Sequence, residues 1–197
     1  MEVLIVGLTI FFGAHCYSAF RSREAGSDIK ERLGEAKYMG IYSLVSLLGF
    51  GLLIWGYSLA QPGQYLFVGI AGARDVAVLV MVPALILLVA SQLPPGHIKS
   101  LSVHPMLIAI ALWGIAHLLD GADLRQLLLF GTFLLYSLID IPAVNRRTRQ
   151  ASSAGNSGAQ STPKLSYDLI AVAIAAVVFL ALVYGLHDWL FGRSALV

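Results

Sequence analysis

The sequence predicts an all-α integral membrane protein, a bundle of six transmembrane helices forming one domain over residues 1–197. Three observations carry this. The 197 residues are 58% hydrophobic and only 12% charged, where soluble domains have about a quarter of their residues charged, and mean hydropathy is +0.79. Six apolar stretches approach the roughly 20 residues a helix needs to cross a hydrocarbon core of about 30 Å. Lysine and arginine fall mostly into alternate connections between those stretches. Lipid cannot satisfy backbone N–H and C=O groups, so the spans must be helices packed side by side.

The first span covers residues 3–20. It has no basic leader and no small-residue cleavage site, and reads as a retained helix rather than a removed signal. Residues 21–37 (RSREAGSDIKERLGEAK) are charged and read as a partly helical segment near the inner surface. The second span, 38–59, carries Ser43, Ser46, Gly49, Gly51 and Gly56, small residues that let helices approach closely. The third, 76–93, contains Pro83, which removes one backbone donor and predicts a kink near Leu79. Arg74 and Asp75 open it at the outer side, where Arg74 either pairs with Asp75 or meets a propionate or another anion.

The fourth span, 105–119, is short. Pro105 stands at its first helical position and Asp120-Gly121 closes it. The fifth covers 124–142. Residues 150–163 (QASSAGNSGAQSTP) are small and polar and read as a flexible linker, which divides five spans from a sixth at 169–191. Trp55, Tyr57, Trp113 and Trp189 lie toward the outer ends of their spans and predict an interfacial belt.

Charge sets the orientation. With the N-terminus outside, the inner segments hold Arg21, Arg23, Lys30, Arg32, Lys37, Lys99, Arg146, Arg147, Arg149 and Lys164. The outer side keeps Arg74, Arg125 and Arg193. The positive-inside rule therefore places both termini outside. The lone Cys16 excludes an intrachain disulfide and any cysteine-rich zinc site. A net charge of +2 argues against nucleic acid as a partner and leaves the lipid bilayer as the evident one.

Five histidines fall on this topology in layers. His15 lies near the inner end of the first span, and His104 opens the fourth at about the same depth. His117 and His187 fall together near the outer surface, while His97 in PPGHIK reads as solvated. His104 and His117 are separated by about 20 Å of helical rise and roughly 140° around the axis, so they do not share a metal. The pairs run between helices: His15 with His104, or alternatively His117 with His187. Two imidazoles from different helices in a dry bundle core are what a bis-histidine b-type haem requires. At the N-cap the helix dipole disfavours imidazolium, which suits His104 as a neutral ligand. Asp140 lies at the depth of His15 and His104, where it either orients a ligating imidazole or reaches water. Cys16 points about 100° away from His15 around the helix and reads as a packing residue.

The motifs GAHCYSAFR, RLGEAKYMGIYSLVSLLGFGLLIWGY, HPMLIAIALWGIAHLLDGADLRQLLLFG and YDLIAVAIAAVVFLALVYGLHDWLFG resemble the NnrU family of bacterial membrane proteins. They cover nearly all of the chain outside the linker. The family is related to 15-cis-ζ-carotene isomerase, an integral membrane enzyme that uses haem b. The resemblance implies histidine axial ligands matching His15 and His104, the latter in the His-Pro motif. The isomerase's redox-linked ligand change implicates a cysteine near that motif, whereas positions 97–103 here read HIKSLSV. Two functions follow as expectations. One is a haem b protein of the bacterial inner membrane, serving redox or nitrogen-oxide-linked metabolism with a redox partner protein, or isomerising a lipophilic polyene. The other is a non-enzymatic accessory or assembly subunit. A transporter is disfavoured, because the chain lacks paired half-helices and an intramembrane carboxylate chain.

Overall fold

The computed structural model describes residues 1–21, 28–102, 104–153 and 162–191, without the side chains of 151 and 152. The chain is a helical membrane bundle. Helices α1 (Glu2–Phe20) and α3 (Glu35–Leu59) pack along their length, with α2 (Ile29–Leu33) between them in sequence. Helix α4 (Ala73–Gln92) is followed by the short α5 (His97–Ser100), α6 (Pro105–Leu119) and α7 (Leu124–Ser153). Helix α8 (Leu165–Ala181) leads through a segment kinked at Tyr184 and Gly185, Leu182–Leu186, into α9 (His187–Phe191). Neighbouring pairs are α3–α1, α1–α7, α7–α6, α6–α4 and α4–α8.

Five helices among the described residues are long and apolar enough to cross a membrane. The expected fourth span is the exception: α6 has 15 residues, a rise of about 22 Å. Other boundaries shift as well. Helix α7 runs through Pro142 to Ser153, so residues 150–153 of the expected linker are helical, and 154–161 lie outside the described residues. Helix α4 stays continuous through Pro83. In the charged segment, only α2 and the start of α3 are described as helix, and residues 22–27 are not described.

Glycine makes the α1–α3 contact possible, though only part of the predicted set takes part. A Cβ on Gly56 would lie 2.2 Å from the backbone nitrogen of Leu4, and one on Gly49 would lie 2.6 Å from that of Phe11. Gly7 answers from α1, its Cβ position 2.3 Å from the nitrogen of Leu53. Gly51 meets nothing within 4 Å. Beside this seam, Leu4, Leu8, Phe12, Leu53, Leu129 and Phe130 form the buried core.

Two ends of the bundle are held by different polar ties. At one, Arg147 of α7 donates to the carbonyl of Ala19 and to Asp140, and Lys164 N–H donates to the carbonyl of Pro95 at 3.1 Å. At the other, strand β1 (Tyr65–Val68) pairs antiparallel with β2 (Gly121–Asp123), joining the α3–α4 and α6–α7 connections. This ribbon was not expected from the sequence. Arg74 opens α4 at the same end, and both its Nε (3.0 Å) and Nη2 (2.7 Å) donate to Asp120 Oδ2. That partner replaces the neighbouring Asp75, and it places Arg74 at the end of α6 away from His104.

The expected aromatic belt is only half present. Trp55 and Trp189 are exposed at 57% and 80%. Trp113 and Tyr57 turn inward, Trp113 onto Phe130 and Phe133 and Tyr57 against the core under the Arg125 guanidinium.

Candidate functional site

At the end of the bundle tied by Arg147, three elements bring polar side chains together. His15 stands on α1, two turns after Gly7 allows α3 to approach. Its Nδ1 lies 2.7 Å from the carbonyl oxygen of Phe11. A carbonyl only accepts, so Nδ1 carries the proton and donates, and the lone pair is left on Nε2. The ring lies 4.1 Å from that of Phe11, 5.4 Å from Tyr42 on α3 and 6.0 Å from Tyr136 on α7.

Tyr136 extends the cluster toward the end of α7. Its hydroxyl donates to Asp140 Oδ2 at 3.1 Å, and Arg147 Nη2 donates to Asp140 Oδ1 at 3.1 Å. The Asp140 carboxylate is thus buried and held from both sides, so it does not simply reach water. Asp140 and Arg147 both act electrostatically on His104. Cys16, half-buried on α1, also lies within the field of Asp140.

His104 sits where the sequence places it. It is the N-cap of α6, with Pro105 following at N1. Its side chain makes no capping hydrogen bond, and its Nε2 is buried without a hydrogen-bond partner. Such orphaned nitrogens are uncommon in folded proteins and each calls for a reason. Tyr136 joins Asp140 to the ring of His15, and His104 lies within the electrostatic reach of Asp140 and Arg147.

The alternative layer is assembled more directly. His117 Nδ1 donates to the carbonyl of Trp113 at 2.9 Å, and its ring stacks on Phe130 at 4.4 Å. His187, the first residue of α9 after the kink, places its ring 6.4 Å from that of His117 with the planes 29° apart. Gly185 in that kink has φ +140°, a value L side chains rarely adopt.

His97 is tied rather than free. Its ring is 63% exposed, but Nδ1 and the backbone N–H both bond Asp168 Oδ2, at 2.8 and 2.9 Å. Asp168 also accepts from the N–H of Ile98 at 2.9 Å, so a buried carboxylate of α8 caps α5.

Chemically, the Arg147 end of the bundle offers two histidines from different helices, one donating from Nδ1 to a carbonyl and one with an unused nitrogen. No group of three or more metal-ligating side chains occurs among the described residues. Axial ligation of a haem calls on two imidazoles, and α1 and the start of α6 each supply one. Sequence reasoning missed Tyr42, Tyr136, Arg147 and Asp168. For α7 a signal existed, since Tyr136, Asp140 and Arg147 recur at i, i+4 and i+11 on one helical face.

A family model described as "NnrU protein" matches residues 3–195, nearly the whole chain. The chain belongs to the NnrU family. No curated protein and no solved structure matches it.

Proposed function

We propose that this member of the NnrU family binds haem b in the bacterial inner membrane, with His15 and His104 as axial ligands and both termini periplasmic. The observation that carries the reading is the buried, unpartnered Nε2 of His104. Leaving a buried polar nitrogen unsatisfied costs on the order of 1–3 kcal/mol, and ligation would remove that cost. His15 supports it, because the bond from Nδ1 to Phe11 leaves Nε2 as the ligating atom. This is the second-sphere arrangement that orients metal-bound imidazoles.

The remaining residues set the surroundings. Asp140, held by Tyr136 and Arg147, contributes a fixed negative charge near His104. Tyr42 and Phe11 flank His15 and keep water from its ring. Arg74, bonded to Asp120 at the opposite end of α6, is assigned a structural role. Haem bound here supplies a one-electron Fe(III)/Fe(II) couple. The function served is redox or nitrogen-oxide-linked metabolism, with electrons exchanged with a partner protein.

A second reading of the site is favoured by one contact. His117 and His187 already lie 6.4 Å apart, and the haem is then ligated in that layer. Isomerisation of a lipophilic polyene is the alternative use of the same haem. The test is an absorption spectrum of the purified full chain, with single alanine variants of all four histidines. Colourless protein after expression with ample haem leaves the non-enzymatic accessory subunit as the reading.

A further inference from the structure

The ribbon at the Arg74 end has an unusual surface. Tyr65, Leu66, Phe67, Val68 and Ile70 are exposed at 46%, 58%, 42%, 77% and 84%. Successive side chains of a strand point to opposite faces, so β1 is apolar on both faces and the protein covers neither. Its partner β2 is buried throughout. A water-exposed ribbon ordinarily alternates apolar with polar residues, and exposed edge strands carry charges that discourage aggregation. Here no Lys, Arg, Asp or Glu occurs between Lys37 and Arg74.

Position explains the composition. Gly69 packs on the end of α6, where a Cβ would lie 2.3 Å from the carbonyl oxygen of Leu119. Helix α6 rises about 22 Å, short of the roughly 30 Å hydrocarbon core. The ribbon therefore continues from the end of α6 toward the headgroup level. Around it, Leu59, Val76 and Leu124 are exposed at 53%, 50% and 48%, so its apolar surface continues the bilayer-facing surface of the helices. Trp55, near the same end of α3, and Trp189 on α9 are exposed too, as expected of residues at the headgroup level.

We propose that β1 and the residues that directly follow it form a membrane-interface element, whose Leu66, Val68 and Ile70 side chains insert into the lipid at the outer end of the bundle. Its partner is the bilayer itself. At headgroup depth, water satisfies the strand's free edge, which the hydrocarbon core would not. Asp123 on the partner strand β2 is buried, while the Arg74–Asp120 pair keeps partly exposed side chains, as suits groups at the headgroup level.

Single cysteines at Leu66, Val68 and Ile70, in a Cys16→Ser background, test this by fluorescence. Each would carry an environment-sensitive label in the full chain reconstituted into phosphatidylcholine vesicles. A cysteine at Gln61, exposed in the preceding turn, is the aqueous reference. The expected result is quenching at 66, 68 and 70 by shallow nitroxide-labelled lipid, with several-fold weaker quenching by aqueous iodide than at 61. Equal iodide quenching at all four positions, without lipid quenching, overturns the proposal. Shielding that appears only at high protein-to-lipid ratio also overturns it, by assigning the strand to contact with a second copy. Because the labelled side chains are exposed, their replacement removes no core contact, and three positions guard against one that fails to fold.

Discussion

Asp140 and Arg147 are bonded at 3.1 Å across almost two turns of α7, and the same guanidinium reaches the carbonyl of Ala19 on α1. The pair thus ties α7 to α1 at the level of His15 and His104. Its side chains are 10% and 24% exposed, so it is more shielded than a surface pair. Removing one partner of a buried pair is costly because the other charge is left uncompensated. Partial exposure of Arg147 moderates that.

Asp140→Asn is therefore expected to destabilise the bundle by about 1–3 kcal/mol, read as a lowered Tm in detergent. If haem is ligated by His15 and His104, the same change removes a nearby negative charge and raises the haem midpoint potential. An unchanged potential in a variant that still binds haem would place the iron away from Asp140.

The α1–α3 seam predicts a sharp contrast among glycines on one helix. Gly56→Ala sets a methyl 2.2 Å from the backbone of Leu4, where no side chain can swing aside. Overpacking of this kind costs about 1–3 kcal/mol or more. Gly51→Ala, with nothing within 4 Å, is expected to leave stability unchanged or slightly raised, since alanine favours helix. Thermal unfolding of the two variants in one detergent makes the comparison.

Asp168 is predicted to hold α5 in place. Asp168→Ala removes three bonds to His97 and Ile98, and loss of a cap typically costs about 1 kcal/mol. Amide hydrogen exchange over residues 97–100 should accelerate while that of α3 stays unchanged. Gly96→Ala should mimic it, because its Cβ would lie 2.3 Å from Asp168 Oδ1.

What the sequence reveals here divides by range. Hydropathy and helix periodicity are local, and they identify the membrane bundle, the five long helices and the N-cap at His104 before Pro105. Gly49 and Gly56 are legible for the same reason, although sequence spacing alone does not separate them from Gly51. Partners chosen across the fold are not legible. Arg74 has a carboxylate beside it in Asp75 but bonds Asp120, which tertiary packing brings nearer. The ribbon is hidden because YLFVGI is too short to register as a span, and its partner lies some 55 residues away in a segment of three residues without β-branched side chains. His97 reads as solvated from its loop composition, and only the docking of α8 supplies Asp168. The inner pair and the outer pair were both visible as depths, yet only the structure shows that His104 keeps an unsatisfied nitrogen.

The most direct measurement is the absorption spectrum of the full chain, purified in mild detergent after expression with ample haem, with a pyridine haemochrome assay. The account predicts a Soret band and b-type haemochrome that are lost in both His15→Ala and His104→Ala, and kept in His117→Ala and His187→Ala. Colourless wild-type protein, or loss of haem in the second pair of variants instead of the first, would contradict it.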